Sequence, residues 1–218
     1  MKINHITKSY DKHLVLDFPE MELEQGKIYA VIGANGSGKS TLAKILAGSV
    51  STDKKDVPLD KNISVGYMPQ RSFAFRMTVE KNILLVCEDV QRAKRLMEML
   101  QIQHLGKKMA HRLSGGETAR MALARVMMKS YDLLILDEPT AAMDMETTSL
   151  AEELMISYKQ ENRGGLLVVT HSLQQARRIA DEVIFLHKGI LVEHGPKEKV
   201  LYTPVMEETK RFLEFYGV

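Results

Sequence analysis

Three continuous apolar runs indicate that the chain contains buried strands. Each run is short, and the three are Ile28–Ile32, Leu133–Leu136 and Leu166–Val169. Runs of this length are typical of strands that are buried on both faces of a parallel sheet. Another short strand is predicted over Ile63–Met68, and loose alternation of apolar residues predicts short strands between Lys2 and Leu23.

Elsewhere the apolar residues follow a helical period or mark a tight turn. The segments with helical periodicity are Lys39–Ala47, Thr78–Lys129, Leu173–Ala180 and Val205–Phe215. Gly48 follows the first of these and is the expected helix terminator. Val183–Leu186 and Ile190–Val192 flank a short Gly-containing turn, which predicts a β-hairpin. The polar stretch Ser49–Asn62 is expected to be a loop or an edge strand.

This order of elements predicts an α/β fold. A mostly parallel sheet with N-terminal antiparallel strands is expected to form a core from residues 1–70 and 129–218. A helical subdomain is expected to be inserted at residues 71–128. The chain length of 218 residues suits one domain with a small appended subdomain.

A glycine-rich segment between the first buried strand and the first helix fits the phosphate-loop pattern. Its residues are Gly33, Ala34, Asn35, Gly36, Ser37, Gly38, Lys39, Ser40 and Thr41. Glycines let backbone N–H groups approach a triphosphate, and the helix N-terminus also faces the anion. Lys39 would supply charge to the β- and γ-phosphates of ATP, and the Ser40 hydroxyl suits a Mg²⁺ ligand. The fold expected is therefore a phosphate-loop ATPase core.

Two acidic residues end the second buried strand. Asp137 closes that strand, so its carboxylate can reach the same Mg²⁺, directly or through water. Glu138 comes next and is placed to polarise the attacking water as a general base. Without a phosphate loop, an Asp-Glu-Pro run would be interpreted as a turn that Pro139 enforces.

The segment Leu113-Ser114-Gly115-Gly116-Glu117 precedes a predicted helix. Ser114 and Glu117 have the spacing of a capping box, in which each side chain bonds the other residue's backbone N–H. The two glycines leave N–H groups uncovered at the positive end of the helix dipole. Such a helix start can hold a phosphate group.

Five segments in one order carry a family resemblance. They are Gly33–Thr41, Tyr67–Gln70, Leu113–Glu117, Leu133–Pro139 and Thr170-His171. Together they resemble the nucleotide-binding subunit of an ATP-binding-cassette (ABC) transporter, and the resemblance covers nearly the whole chain. It implies that two copies of the chain enclose two ATP molecules, each contacted by Ser114, Gly115, Gly116 and Glu117 of the opposite copy.

The resemblance also implies roles for single residues. His171 corresponds to the switch histidine at the γ-phosphate, and Gln70 to a glutamine that meets the metal and the attacking water. Tyr10 stands where the family stacks an aromatic ring on adenine, and Asp144 lies in the dimer-contact loop. Glu117 replaces the usual glutamine, which puts an extra negative charge near phosphate.

Composition and charge limit the classes of partner and the cell compartment expected for the chain. The net charge is only +2, which argues against nucleic acid as a partner. Cys87 is the single cysteine, so an intrachain disulfide is impossible and a reducing cytoplasm is expected. Cys87 itself is interpreted as a small buried apolar residue.

Membrane attachment is expected to come through a partner. No apolar run approaches the roughly 18 residues that a membrane span requires, and the polar N-terminus does not resemble a signal peptide. The expected location is peripheral, at the cytoplasmic face of the cell membrane. The resemblance implies integral-membrane permease subunits as partners, with an extracytoplasmic solute-binding protein as a further candidate partner.

Three functions remain open at this point. The first is the energy-providing subunit of a bacterial importer, for an oxyanion such as tungstate or for a polar amino acid. The second is an ATPase that drives a non-transport membrane complex, of the cell-division or lipoprotein-release type. The third is a soluble cassette that acts in DNA repair or on ribosomes. Such proteins require a long coiled coil or a second cassette, and this sequence shows neither.

Methionine is concentrated in the predicted helical segment and offers a further hypothesis. Of 14 methionines, most lie between Met68 and Met128. Since methionine adapts to moving surfaces, Met68 and Met77 are candidates for a permease docking groove. Methionine as core filler is the equally weighted alternative.

Overall fold

The computed structural model describes residues 1–54 and 56–216. Its strands are β1 Lys2–Ile3, β2 Ile6–Tyr10, β3 His13–Phe18, β4 Met21–Glu22, β5 Ile28–Ile32, β6 Val65–Met68, β7 Leu133–Asp137, β8 Gly165–Val169, β9 Glu182–His187 and β10 Ile190–Pro196. Its helices are α1 Lys39–Leu46, α2 Val79–Leu84, α3 Val90–Met99, α4 Gly115–Val126, α5 Met145–Glu161, α6 Leu173–Ile179, α7 Lys197–Tyr202 and α8 Glu207–Phe215.

A single mixed sheet forms the centre of the fold, in the order β2-β3-β10-β9-β5-β8-β7-β6. The five strands from β9 to β6 run parallel. The N-terminal strands β2 and β3 are antiparallel, and β9 and β10 form the predicted hairpin. The α/β fold class that the sequence predicts is therefore confirmed.

Register brings the carboxyl ends of three parallel strands together. Val31 of β5 pairs with Val169 of β8, and Asp137 of β7 pairs with that same Val169. All residues of these three strands are buried, as the continuous apolar runs predict. The loops that follow the strands consequently emerge side by side at one edge of the sheet.

Local signals place the helix ends close to the predicted residues. α1 ends at Leu46 with Ala47 as its C-cap, and Gly48 then adopts a positive φ of 70°.

Residues 49–54 and 56–62 contain no named strand, only an isolated bridge from Leu59 to Ile3. This part of the chain is therefore a loop rather than an edge strand.

The segment between β6 and β7 contains α2, α3 and α4, which pack against one another. Their apolar faces share one core with side chains of β7, β8 and α5. Asn82 of α2 is fully buried and bonds the backbone of Phe75, Met77 and Thr78. This side chain therefore fixes the segment that leads into the helices. Within the described residues, no helix has both the length and the apolar character to cross a membrane.

Two sequence-based interpretations of side-chain burial are wrong. Cys87 is exposed rather than buried, because it follows the end of α2 at the surface. Met68 is only 3% exposed and belongs to the core, so it cannot line a docking surface. Four other methionines of this segment are also buried, namely Met97, Met121, Met127 and Met128. Most of the methionines act as core filler.

The N-terminus of α4 packs directly against the loop that follows β7. A Cβ atom added at Gly116 would lie 2.8 Å from the carbonyl oxygen of Ala142, too close for any real contact. A Cβ atom at Gly115 would meet only the Ala142 side chain, at 3.8 Å. Of these two adjacent glycines, only Gly116 is required by its neighbour.

We expect Gly116→Ala to lower the free energy of unfolding by about 1–3 kcal/mol, the usual cost of overpacking. The matched control is Gly115→Ala, which should be neutral or stabilising because alanine favours helices over glycine by about 1 kcal/mol. Urea denaturation of both variants measures the difference. Equal stability of the two variants would contradict the packing argument.

Candidate nucleotide-hydrolysis site

The phosphate loop lies at the sheet edge and runs from β5 into α1. Gly33 has a φ of 148°, and a Cβ there would lie 2.1 Å from the Leu186 carbonyl oxygen. Gly36 has a φ of 79°, a conformation that side chains other than glycine rarely adopt. Both glycines are therefore needed for the path of the loop.

Lys39 is buried beneath the loop that it follows. Its Nζ donates hydrogen bonds to the carbonyl oxygens of Gly33 at 2.8 Å and Ala34 at 2.9 Å. Burial lowers the pKa of the Lys39 ammonium, and the carboxylates of Glu138 and Asp137 partly oppose this effect. An anion that enters the loop would stabilise the charged form of a lysine that is held in this way.

An open cavity of about 240 Å³ lies over the phosphate loop. Its walls bring together residues from four separate parts of the chain: Val15, Asn35, Gly36, Ser37, Gly38, Lys39, Ser40, Thr41, Gln70 and Glu138. Gln70 and Glu138 thus face the loop as the sequence predicts. Tyr10 lies on β2 outside this lining and is 46% exposed, with Lys8 over its ring.

A hydroxyl and a carboxylate meet at the floor of the site. The Ser40 Oγ donates to Asp137 Oδ1 at 3.0 Å. The other oxygen, Oδ2, is buried and has no hydrogen-bond partner among the described residues. Burial raises the pKa of Asp137. An uncompensated carboxylate oxygen beside a hydroxyl is a donor set that fits Mg²⁺, which prefers few protein oxygens together with substrate phosphates.

Glu138 and His171 form a pair at the edge of the cavity. Glu138 Oε2 lies 2.7 Å from His171 Nδ1, although the two residues follow different strands. The Glu138 side chain is only 9% exposed, while that of His171 is 61% exposed. Glu138 also has a φ of 52°, an uncommon and strained backbone conformation for a residue other than glycine.

The predicted capping box is present at the start of α4. Ser114 Oγ accepts from the Glu117 N–H at 3.2 Å, and Glu117 Oε2 accepts from the Ser114 N–H at 2.7 Å. These bonds, with Lys108 at 3.5 Å, lower the pKa of Glu117. The charge of Glu117 is therefore compensated within the chain. Ser114 and Gly115 are exposed and do not line the cavity over their own phosphate loop.

Asp144 has a local role that the sequence analysis missed. Its Oδ1 accepts from both the N–H and the hydroxyl of Thr147 at 2.8 Å, which caps the N-terminus of α5. Those bonds lower the pKa of Asp144. The signal that could have predicted this N-cap is an aspartate with a threonine three positions later at a helix start.

Two further residues around the site were not predicted from the sequence. The Tyr67 hydroxyl is buried near the Asp137 carboxylate but outside good hydrogen-bond geometry, and its burial, followed by the charge of Asp137, raises the pKa of Tyr67 to about 12. Gln175 of α6 is 1% exposed and donates to Thr140 Oγ1 at 2.9 Å. An amphipathic pattern alone does not distinguish such a buried amide from an exposed one.

We expect Asp137→Asn to stabilise the nucleotide-free protein at pH 7, although it removes a group of the site. The raised pKa means that ionised Asp137 destabilises the folded state, fully above its folded pKa and not at all below the unfolded value of about 3.9. The melting temperature should rise by about 2–4 °C for each 1 kcal/mol gained. This gain should shrink as the pH falls toward 4.

The control is Asp132→Asn, at an exposed carboxylate whose pKa is lowered by hydrogen bonds from Ser64. Here the sign is opposite, because the folded state favours the ionised form above the unfolded pKa. Asp132→Asn should lower the melting temperature at pH 7, and less so at pH 4. Thermal melts that shift both variants in the same direction would contradict the assignment.

Comparison with known proteins identifies the family of the chain. A profile of the family described as ABC transporter matches residues 16–141. A tungstate uptake system ATP-binding protein of Peptoclostridium acidaminophilum is 35% identical over 203 residues, which cover 86% of this chain and 94% of that protein. A zinc import ATP-binding protein of Hahella chejuensis is 32% identical over 220 residues, which cover 100% of this chain and 83% of that protein.

A solved structure confirms the fold. The ATP-binding subunit of an ABC transporter superposes with a TM-score of 0.82 at 21% identity, and the match covers 98% of both chains. The profile spans more than half of this chain, and it includes the phosphate loop, Gln70, Asp137 and Glu138. The chain belongs to the ABC transporter family and is one of its ATP-binding, ATP-hydrolysing members.

Proposed function

We propose that this chain is the ATPase subunit of a solute importer, working as a homodimer on membrane permease subunits. The observation that carries the ATPase part of the proposal is the Glu138–His171 pair, because Glu138 lines the phosphate-loop cavity and directly follows Asp137, which Ser40 contacts. This arrangement supports the proposed roles of Glu138 as a general base, of Lys39 as the cation of the loop and of Asp137 as a metal-binding carboxylate. Hydrolysis of a terminal phosphate requires these three elements.

The phosphate loop binds the triphosphate of ATP. Residues 33–41 direct backbone N–H groups and the start of α1 at the phosphates, and Lys39 can exchange its two carbonyl partners for phosphate oxygens. Ser40 and Asp137 would hold Mg²⁺, and Gln70 lines the same cavity as Ser40. Mg²⁺ bound there would neutralise negative charge on the phosphates.

Glu138 accepts a proton from the attacking water, and His171 holds the Glu138 carboxylate in place. The 2.7 Å contact restrains the carboxylate at a backbone position that is itself strained. Low exposure of Glu138 keeps bulk water from competing for its oxygens. General-base assistance of this kind contributes about 10²–10⁴ to a reaction rate.

A second copy of the chain is proposed to complete each site. Ser114, Gly115 and Gly116 present a capped helix start to solvent, away from the cavity of their own chain. Such a start binds anions through free N–H groups and the helix dipole. In a head-to-tail pair, this surface reaches the γ-phosphate on the partner. Asp144 lies in the loop next to it, and Tyr10 is the proposed adenine contact.

The solute is proposed to be an oxyanion such as tungstate, which the name of one relative supports. A polar amino acid is the other candidate solute, and a non-transport membrane complex is the alternative function. Solute choice resides in the permease and in a solute-binding protein, which we propose as further partners. The location that follows is peripheral, at the cytoplasmic face of the membrane.

A groove beside α2 is the proposed permease contact. It has a volume of about 740 Å³ and is lined by Met77, Lys81, Leu84, Leu85, Val86, Cys87, Glu88 and Val90. Leu85 is 51% exposed and Val90 44% exposed, so apolar surface is available there. We propose residues 71–128 as the subdomain that transmits movement, with core segments 1–70 and 129–218. Met77 remains part of this docking hypothesis, without Met68.

We expect Glu138→Gln to bind ATP normally and to lower turnover about 10²–10⁴-fold, because it removes the base and keeps the shape. ATP should trap this variant as a dimer, which light scattering after gel filtration detects. The matched control is Lys39→Ala, which should lose about 10–100-fold in ATP affinity, as expected for one charge-assisted hydrogen bond. Wild-type turnover of Glu138→Gln would remove Glu138 from the base role.

The exposed Cys87 allows the groove to be tested directly, since it is the single thiol of the chain. A photo-crosslinker on Cys87 should capture a multi-span permease from native membranes when the Glu138→Gln chain is used. The control moves the thiol to an exposed position on α8, as Cys87→Ser with Glu214→Cys. A permease captured equally by both positions contradicts the docking site, and capture of only a single-span regulator favours the non-transport function.

A further inference from the structure

A partly buried polar cluster lies next to the loop that follows Glu138, outside the cavity itself. It joins α5, α6 and the loop after β7 through Glu152, Gln175, Arg178 and Thr140. Gln175 is 1% exposed and Glu152 is 5% exposed. Buried polar groups are costly unless bonded, so a cluster at this position calls for a specific role.

Glu152 anchors the cluster. Its Oε2 accepts from Arg178 Nε at 2.6 Å and its Oε1 from Arg178 Nη2 at 2.8 Å, so the two form a bidentate pair. This pair fixes α5 against α6. Gln175 Nε2 then donates to Glu152 Oε1 at 3.3 Å and to Thr140 Oγ1 at 2.9 Å. The Gln175 amide therefore connects the ion pair to the catalytic loop.

Thr140 belongs to the turn that begins at Glu138. The Ala141 N–H donates to the Glu138 carbonyl at 3.3 Å, and the Met143 N–H donates to the Thr140 carbonyl at 3.0 Å. These two bonds close successive turns around Thr140. Holding the Thr140 side chain therefore restrains the turn that sets the strained Glu138 backbone.

At its other end, Gln175 is tied to the start of α6. The Gln175 N–H donates to the Ser172 Oγ at 3.1 Å, and Ser172 directly follows His171. One residue thus contacts the segment that carries the switch histidine and the segment that carries the base. The 2.7 Å distance between Glu138 and His171 depends on how these two segments lie relative to each other.

We propose that Gln175 is a positioning residue for hydrolysis, which holds Glu138 and His171 in register through Thr140 and Ser172. The inference rests on the proposed roles of Glu138 and His171. A strained backbone position persists only when its surroundings over-determine it, and Gln175 supplies part of that restraint. A misplacement of about 1 Å in such a site costs on the order of 10²-fold in rate.

The amide suits this position through its donor side, whereas its Oε1 is buried without a hydrogen-bond partner among the described residues. Its two N–H groups serve two acceptors, one of which is the buried carboxylate of Glu152. A carboxylate in its place would bring two negative charges together inside the protein, which is strongly unfavourable. Arg178 does not compensate a second carboxylate at this position, because its guanidinium is already paired with Glu152.

The test compares Gln175→Met with Gln174→Met, the neighbouring exposed position on the same helix. Methionine keeps the length of the side chain and removes both donors. We expect Gln175→Met to lower kcat by about 10–100-fold, with KM and ATP affinity within about twofold of wild type. Thr140→Val should behave like Gln175→Met, and Thr140→Ser should restore most of the activity because it keeps the hydroxyl.

A double variant separates positioning from general destabilisation. If Gln175 acts through Glu138, adding Gln175→Met to Glu138→Gln should cause no further loss of turnover. An independent additional loss in the double variant would overturn the proposal, as would equal kcat values for Gln175→Met and Gln174→Met. Both of those failures leave the proposed base intact. Unimpaired turnover of Glu138→Gln alone would instead overturn the base assignment and, with it, this inference.

Discussion

The alignment of three parallel strands is the constraint on which the rest of the structure depends. β5, β7 and β8 are buried on both faces and are held in register, so their carboxyl ends stop at one edge of the sheet. The residues after each strand are distant in sequence and become neighbours there. A phosphate loop, an acidic pair and a histidine are assembled at this edge without any direct sequence connection.

Polar groups at that edge are kept in unfavourable surroundings. Asp137 is buried with one oxygen unpaired among the described residues, Lys39 is buried under its own loop, and Glu138 has a strained backbone. Each of these features lowers the stability of the nucleotide-free protein. A bound metal would supply a partner for Asp137, and phosphates would supply partners for Lys39. The site therefore gains more from its ligand than a relaxed site would.

The sequence predicted the parts of the fold that depend on local signals. Buried apolar runs predicted the central strands, and Gly48 predicted the end of α1. The spacing of Ser114 and Glu117 predicted the capping box. The geometry around Ser40, Gln70, Asp137 and Glu138 also agrees with the motifs, because strand ends position these residues. Their roles in hydrolysis remain predictions.

Features that depend on tertiary neighbours were not accessible in this way. Cys87 is exposed because it follows the end of α2 at the surface, and Met68 is buried because α4 and its neighbours cover β6. The hydrogen bonds of Gln175 join helices and a loop that are far apart in sequence. The periodicity of one segment does not indicate which other segment will pack against it.

The close packing of Gly116 against Ala142 has a consequence for cooperativity. In the proposed dimer, the helix start beside Gly116 binds the partner's nucleotide, while Ala142 belongs to the loop that leaves Glu138 of its own site. A shift at one surface therefore alters the other. Thermodynamic linkage then requires the coupling to be reciprocal: occupancy of each site changes the affinity of the other by the same factor. Two identical sites joined in this manner are therefore expected to bind nucleotide cooperatively, with a sign that depends on how the packing responds to occupancy.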